Sequence, residues 1–162
     1  MEHDYDYMLN MDADFSHHPR YLPAMVAGMD SPDGETADCV IGSRYVAGGG
    51  TEGWPLRRRL MSRGVNLYAR ILLGLKSKDC SGAFRCYRVS VLKRLDFDAI
   101  RSRGYSFQEE ILWHLKRADA RFTETPIVFT DRERGQSKIN GREAVMALWI
   151  LFRLGIKNWI GL

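Results

Sequence analysis

Tyr7-Met8-Leu9-Asn10-Met11-Asp12-Ala13-Asp14-Phe15-Ser16-His17-His18-Pro19 is the stretch on which the fold turns. Residues 7–11 form an apolar run without helical period, of the length of a buried strand, and two acids sit where it ends. In an extended chain residues i and i+2 share a face. Asp12 and Asp14 can therefore converge on one cation with only Ala13 between them. Two hard carboxylates with open positions beside them suit Mg²⁺ or Mn²⁺. A solvated turn or a helix N-terminus explains the same pair without a metal, so the rest of the chain has to decide. Pro19 fits the first turn of a helix, where its missing N–H costs nothing. Leu22, Met25, Val26 and Met29 supply that helix with an apolar stripe.

Beyond it, residues 31–34 (Ser-Pro-Asp-Gly) read as a turn and Asp38 to Gly42 as a second buried strand, ending at Ser43-Arg44-Tyr45. The Gly48-Gly49-Gly50 segment reads either as a flexible connector or as a phosphate cradle. Pro55 opens a long helix, roughly to Leu73, with Leu56, Leu60, Val65, Tyr68, Ile71, Leu72 and Leu75 as the expected buried stripe and Gly74 as C-cap. A third strand follows at Ala83 to Tyr87, a short helix near Val89 to Leu95, and a helix from about Phe107 to Arg117. Phe122 to Phe129 alternates but contains Pro126, which marks an edge strand. A charged loop, Asp131 to Lys138, precedes an apolar amphipathic helix from Gly141 to about Ile156. The order of strands and helices predicts one α/β domain over residues 1–162, with a mixed sheet flanked by helices.

The bulk numbers agree. A chain of 162 residues can bury a real core, and a net charge of +4 favours an anionic partner without naming one. Cys39, Cys80 and Cys86 match no zinc or redox spacing and read as reduced thiols of a cytosolic compartment. No apolar run approaches the ~20 residues of a membrane span, and the acidic start is unlike a signal peptide. The chain opens almost at the acidic motif, with no Gly-rich phosphate loop or base pocket before it. That reads as the back part of a longer domain, one whose sheet would have an uncovered edge.

Several segments together resemble one family. Asp-Ala-Asp-Phe-Ser-His-His-Pro (12–19), Gly-Ser-Arg-Tyr (42–45), Trp54 followed by Arg57-Arg58 and Ser62-Arg63-Gly64, Ser81-Gly82-Ala83-Phe84-Arg85, and Asp131-Arg132 with Gly135 and Ser137-Lys138 occur in this order. They resemble the polyprenol-phosphate (dolichol-phosphate) mannosyltransferases among the family 2 glycosyltransferases. The resemblance runs from about Tyr7 into the final helix and implies a GT-A fold lacking its N-terminal nucleotide-binding part. It implies inverting transfer of mannose from GDP-mannose to a polyprenyl or dolichyl monophosphate, assisted by Mg²⁺ or Mn²⁺. By similarity Asp12 and Asp14 hold the metal and donor diphosphate, and Glu110 lines the sugar site.

The chemistry explains the remaining candidates. A phosphate monoester has its second pKa at about 6, so the acceptor is already a nucleophile at neutral pH and needs no strong base. The task is to bring two anions together, and two unit charges ~4 Å apart interact by roughly 4 kcal/mol at an effective dielectric of 20. Cations are the expected machinery. Asp14, Arg44 and Arg132 are the expected catalytic residues, with Arg44 also on the donor. Arg58, Ser81, Arg132, Ser137 and Lys138 are the expected acceptor-phosphate ligands. A solvated helix face competes for Arg57 and Arg59, and helix capping competes with metal binding for His17 and His18. Gln108, Glu109 and Glu110 are equally explained by acid enrichment at a helix start.

The final helix, with Trp149, Arg153, Lys157 and Trp159, suits a membrane surface or the domain's own sheet. The expected location is peripheral, at the cytoplasmic face of a membrane, where small membrane subunits are possible partners. Two other readings stay open here: a non-catalytic fragment needing the nucleotide-binding half, and a family 2 transferase using another sugar nucleotide such as UDP-glucose. A nucleic-acid partner is not expected, because the basic residues lack aromatic interleaving or a groove-reading motif.

Overall fold

A computed structural model describes residues 4–30, 36–102, 104–131 and 141–161, without the side chains of residue 105 and residues 141–144. Its main sheet has four strands: β1 (Tyr7–Asn10), β2 (Cys39–Ser43), β4 (Arg85–Arg88) and β5 (Phe122–Pro126), in the order β1-β4-β2-β5. β4 runs antiparallel to both β1 and β2, while β2 and β5 are parallel. The sheet is therefore mixed, and β5 lies at an edge, where Pro126 is tolerated.

Alternation along the strands feeds two cores. Cys39, Ile41 and Tyr87 face α2 (Leu56–Leu73), α4 (Phe107–Arg117) and α5 (Gly141–Ile160) in one cluster. Val40, Phe84 and Cys86 face α1 (Leu22–Ala27) in the other, where Met25 and Met29 are fully buried. The short α3 (Val89–Leu92) follows β4 directly. The three cysteines are free and buried. Burial pushes the Cys39 and Cys80 thiols up to about 12, so neither is a nucleophile at neutral pH.

Several expectations need correction. The glycine-rich segment is partly strand: Gly48 and Gly49 lie in the turn after β2, and β3 (Gly50–Glu52) pairs in parallel with β6 (Val128–Thr130). A Cβ at Gly49 would sit 2.4 Å from the Ser43 carbonyl oxygen, so the turn into β3 requires glycine. The run from Phe122 to Phe129 is two strands, β5 and β6, broken at Ile127. The stripe on α2 is only partly where expected: Tyr68 and Leu72 pack against the core and Leu75 is buried. Its buried face is Asn66, Ala69 and Leu73, and Leu56, Leu60 and Ile71 are exposed. The turn expected at 31–34 lies outside the described residues.

Candidate functional site

The acidic motif leaves the sheet before its carboxylates act. β1 ends at Asn10 and the bend spans residues 13–17, so Asp12 and Asp14 lie beyond the strand and its alternation does not set the two carboxylates. The bend builds itself from its own side chains. Ser16 donates to Asp14 Oδ1 from both its backbone N–H and its hydroxyl. Phe15 between them takes φ 63°, a left-handed conformation that is unfavourable for a bulky residue. His17 Nδ1 accepts the Asp12 backbone N–H at 2.9 Å. The ring is stacked on Phe84 at 5.0 Å and edge-on to Phe129 at 5.3 Å. Burial lowers the His17 pKa against the pull of Asp12, so the ring is neutral and serves as a prop. His18 caps the short 3₁₀ turn Pro19–Tyr21 by accepting from Arg20 N.

Among the described residues no three His, Cys, Asp or Glu side chains form a metal cage. The donor set still fits Mg²⁺ or Mn²⁺, because Asp12 is partly exposed and Asp14 is oriented by Ser16. Such ions take one or two carboxylates and complete their shell with water and phosphate oxygens.

Arg44 extends from the end of β2 into a buried pair with Asp79. Its Nε donates to Asp79 Oδ2 at 2.7 Å and its Nη2 to Oδ1 at 2.6 Å, while its backbone N–H also reaches Oδ2. Burial opposes ionisation of both groups, but their attraction prevails and holds the Asp79 carboxyl below its ordinary value. Arg44 is therefore neutralised, and it offers an oriented N–H edge instead of the free charge expected from the sequence. Nη2 donates further to Ser81 Oγ at 2.9 Å.

The loop carrying Ser81 is held from three sides. Asn66, buried on α2, accepts the N–H groups of Cys80 and Ser81 on its Oδ1 and donates to Ser81 Oγ. Glu124 on β5 accepts the N–H groups of Lys78 and Asp79. Arg85, fully buried on β4, donates to the Cys80 carbonyl at 2.6 Å and the Gln108 carbonyl at 2.7 Å, tying the loop to the start of α4.

Arg58 lies on α2 over the Trp54 ring at 4.0 Å and pairs with Asp131 at 2.8 Å. Trp54 is buried, and its Nε1 has no acceptor among the described residues. Arg44 also lies near the Trp54 and Phe129 rings, so the structure brings Arg44, Arg58, Ser81 and the motif prop His17 around one aromatic wall. Arg132, Ser137 and Lys138 lie outside the described residues.

Glu110 departs from the sugar-lining role. Its two oxygens accept the backbone N–H groups of Arg101 and Ser102, a structural task. Its neighbour Glu109 is the acid associated with Arg85, Asp79 and Arg44, and burial pushes it up to about 7. Its Oε2 has no hydrogen-bond partner among the described residues. Asn66, Asp79, Arg85 and Glu109 were not singled out as site residues from the sequence. The one readable signal was an arginine inside an apolar strand, which points to Arg85.

A match to the model of glycosyl transferase family 2 spans residues 2–96. The chain belongs to that family, and its mixed sheet between helices is a GT-A fold. It is 40% identical over 163 residues to the undecaprenyl-phosphate mannosyltransferase of Micrococcus luteus, covering 100% of this chain and 65% of that protein. It is 38% identical over 154 residues to the polyprenol monophosphomannose synthase of Mycolicibacterium smegmatis, covering 95% of this chain and 57% of that protein. The chain thus spans about three-fifths of the length of these relatives.

Proposed function

We propose that the protein transfers mannose from GDP-mannose to a polyprenyl monophosphate with inversion at the sugar carbon. The observation that carries this reading is the identity to an undecaprenyl-phosphate mannosyltransferase and a polyprenol monophosphomannose synthase, which extends over essentially the whole chain. Asp12 and Asp14 would hold Mg²⁺ or Mn²⁺, which when bound neutralises the leaving diphosphate. The acceptor phosphate arrives as its own nucleophile. Arg58, the Arg44 edge and Ser81 receive it, and an anionic oxygen would satisfy the orphaned Trp54 N–H. Arg132, Ser137 and Lys138 follow Asp131, the partner of Arg58, and are proposed to complete the phosphate site.

We also place the protein peripherally on a membrane. No helix among the described residues is long and apolar enough to cross one. However, α5 exposes Val145, Leu148, Trp149, Phe152, Ile156 and Trp159 on one stripe, flanked by Arg153 and Lys157. The exposed stripe of α2, Leu56, Leu60, Leu67 and Ile71, lies on a helix packed against α5. An amphipathic pair with aromatic and basic residues suits an interface.

The test is transfer of radiolabelled mannose from GDP-mannose to a polyprenyl phosphate by the intact protein. Activity should require Mg²⁺ or Mn²⁺, and Asp14→Asn should lose at least about a hundredfold in kcat with an unchanged melting curve. Full turnover by Asp14→Asn would overturn the assignment of the acidic pair.

A further inference from the structure

An open cavity of about 430 Å³ lies beside the site just described. Its lining includes Arg63 and Arg70 from α2 and Lys78 from the following loop, together with Leu67. Arg44 also lines it, but Asp79 already neutralises that charge. No carboxylate lines the cavity among the described residues. The nearby Glu124 has both oxygens committed to the Lys78 and Asp79 amides. Among the described residues the side chains of Arg63, Arg70 and Lys78 enter no ion pair, and the buried Nε of Arg70 meets no partner. Three like charges facing one cavity repel each other unless an anion sits among them.

The position on the helix says what carries that anion. At about 100° per residue, Arg63 and Arg70 form a row directly beside the exposed apolar row of Leu60, Leu67 and Ile71. Leu67 belongs to both the cavity and the apolar row. A ligand seated here would have its charge in the cavity and hydrocarbon along α2. None of Arg63, Arg70 or Lys78 belongs to the set that receives the acceptor phosphate.

We propose that this cavity is a second, non-reacting anion site that takes the phosphate of a bilayer lipid and orients the protein on the surface. The choice of a lipid as carrier rests on the peripheral-membrane reading above, while the unpaired charge of the cavity stands independently of it.

The test uses calorimetry with dioctanoylphosphatidylglycerol below its micelle concentration, compared with inorganic phosphate, on the intact protein. The lipid should bind at least about tenfold more tightly than phosphate, and Arg63→Gln with Arg70→Gln should weaken the lipid about tenfold or more. Lys78→Gln, at an exposed rim position, should weaken it about fivefold and serves if the double variant does not fold. Equal lipid affinity in wild type and variants, or phosphate binding as tightly as the lipid, would overturn the proposal. The membrane reading has its own arm: Trp149→Ser should reduce binding to phosphatidylcholine vesicles. If that binding is unmoved while the arginine variants still lose the short-chain lipid, the membrane reading fails and the anion site stands.

Discussion

Arg44 and Asp79 show how a buried charge pair can be both fragile and useful. Removing one partner leaves the other ionised and unpaired, at a cost of about 3–5 kcal/mol. Asp79→Ala should therefore lose stability on that order in urea unfolding, and more than Arg58→Ala, whose pair with Asp131 is partly exposed. Glu109 makes the opposite kind of prediction. Its carboxyl is held at about 7 in the folded protein against 4.5 as its ordinary value, because burial disfavours the charge. Between those two values the unfolded chain has released its proton and the folded one has not, so stability falls as pH rises through that window. Below the window both states hold the proton and the contribution is fully present. Glu109→Gln should remove this part of the decline and unfold at higher urea than wild type at pH 8, with little difference at pH 5. An unchanged pH slope in the glutamine variant would assign the decline to another group.

At the scale of elements, α2 and α5 are coupled by a close approach. Gly155 of α5 sits against Leu72 of α2, and a Cβ there would meet Leu72 Cβ at 2.9 Å. Neither helix can keep its place if that position gains a branched side chain. Gly155→Leu should cost about 1–3 kcal/mol of unfolding free energy, measured in urea. Its gain in helix propensity, about 1 kcal/mol at most, does not restore the packing. The same helix pair carries the exposed apolar stripes. Each is amphipathic in the ordinary sense, but the buried side of α2 is its polar-to-small face. Asn66 is the reason: it is spent on the Cys80 and Ser81 amides, so the helix turns that residue inward and Leu56, Leu60 and Leu67 outward.

For the whole molecule, the net charge of +4 is distributed unevenly, with Arg63, Arg70 and Lys78 at one cavity, without an ion pair among the described residues, and Arg153 and Lys157 beside the α5 stripe. Attraction to an anionic surface fades within a Debye length, about 10 Å at 0.1 M salt and 3 Å at 1 M. Flotation with phosphatidylglycerol-containing vesicles should therefore weaken several-fold between 0.1 and 1 M NaCl. Binding to pure phosphatidylcholine vesicles should hold, because apolar burial is not screened. Loss of both with salt would mean that the apolar stripes contribute nothing.

The sequence by itself determined the strand that leads into Asp12 and Asp14, the span of α4 and the α/β class, because short-range pattern suffices for these. Apolar runs, helical periods, Pro19 and Gly74 are local signals, and they correspond to β1, the turn at Pro19–Tyr21 and the αL cap after α2. The family's ordered motifs were legible too, but that Arg44, Arg58 and Ser81 meet around one aromatic wall came from the tertiary structure. Only the tertiary structure decided which side of α2 is inward, that β3 exists, that Arg44 is neutralised by Asp79, and that Glu110 holds backbone while Glu109 joins the charge cluster. Apart from Glu110, whose amide partners lie 8 and 9 residues before it, these depend on partners 14 to 78 residues away, beyond the reach of local periodicity. A β pairing is stabilised by its partner strand, and a buried charge by the opposite charge, so their outcomes are set by what the fold brings together.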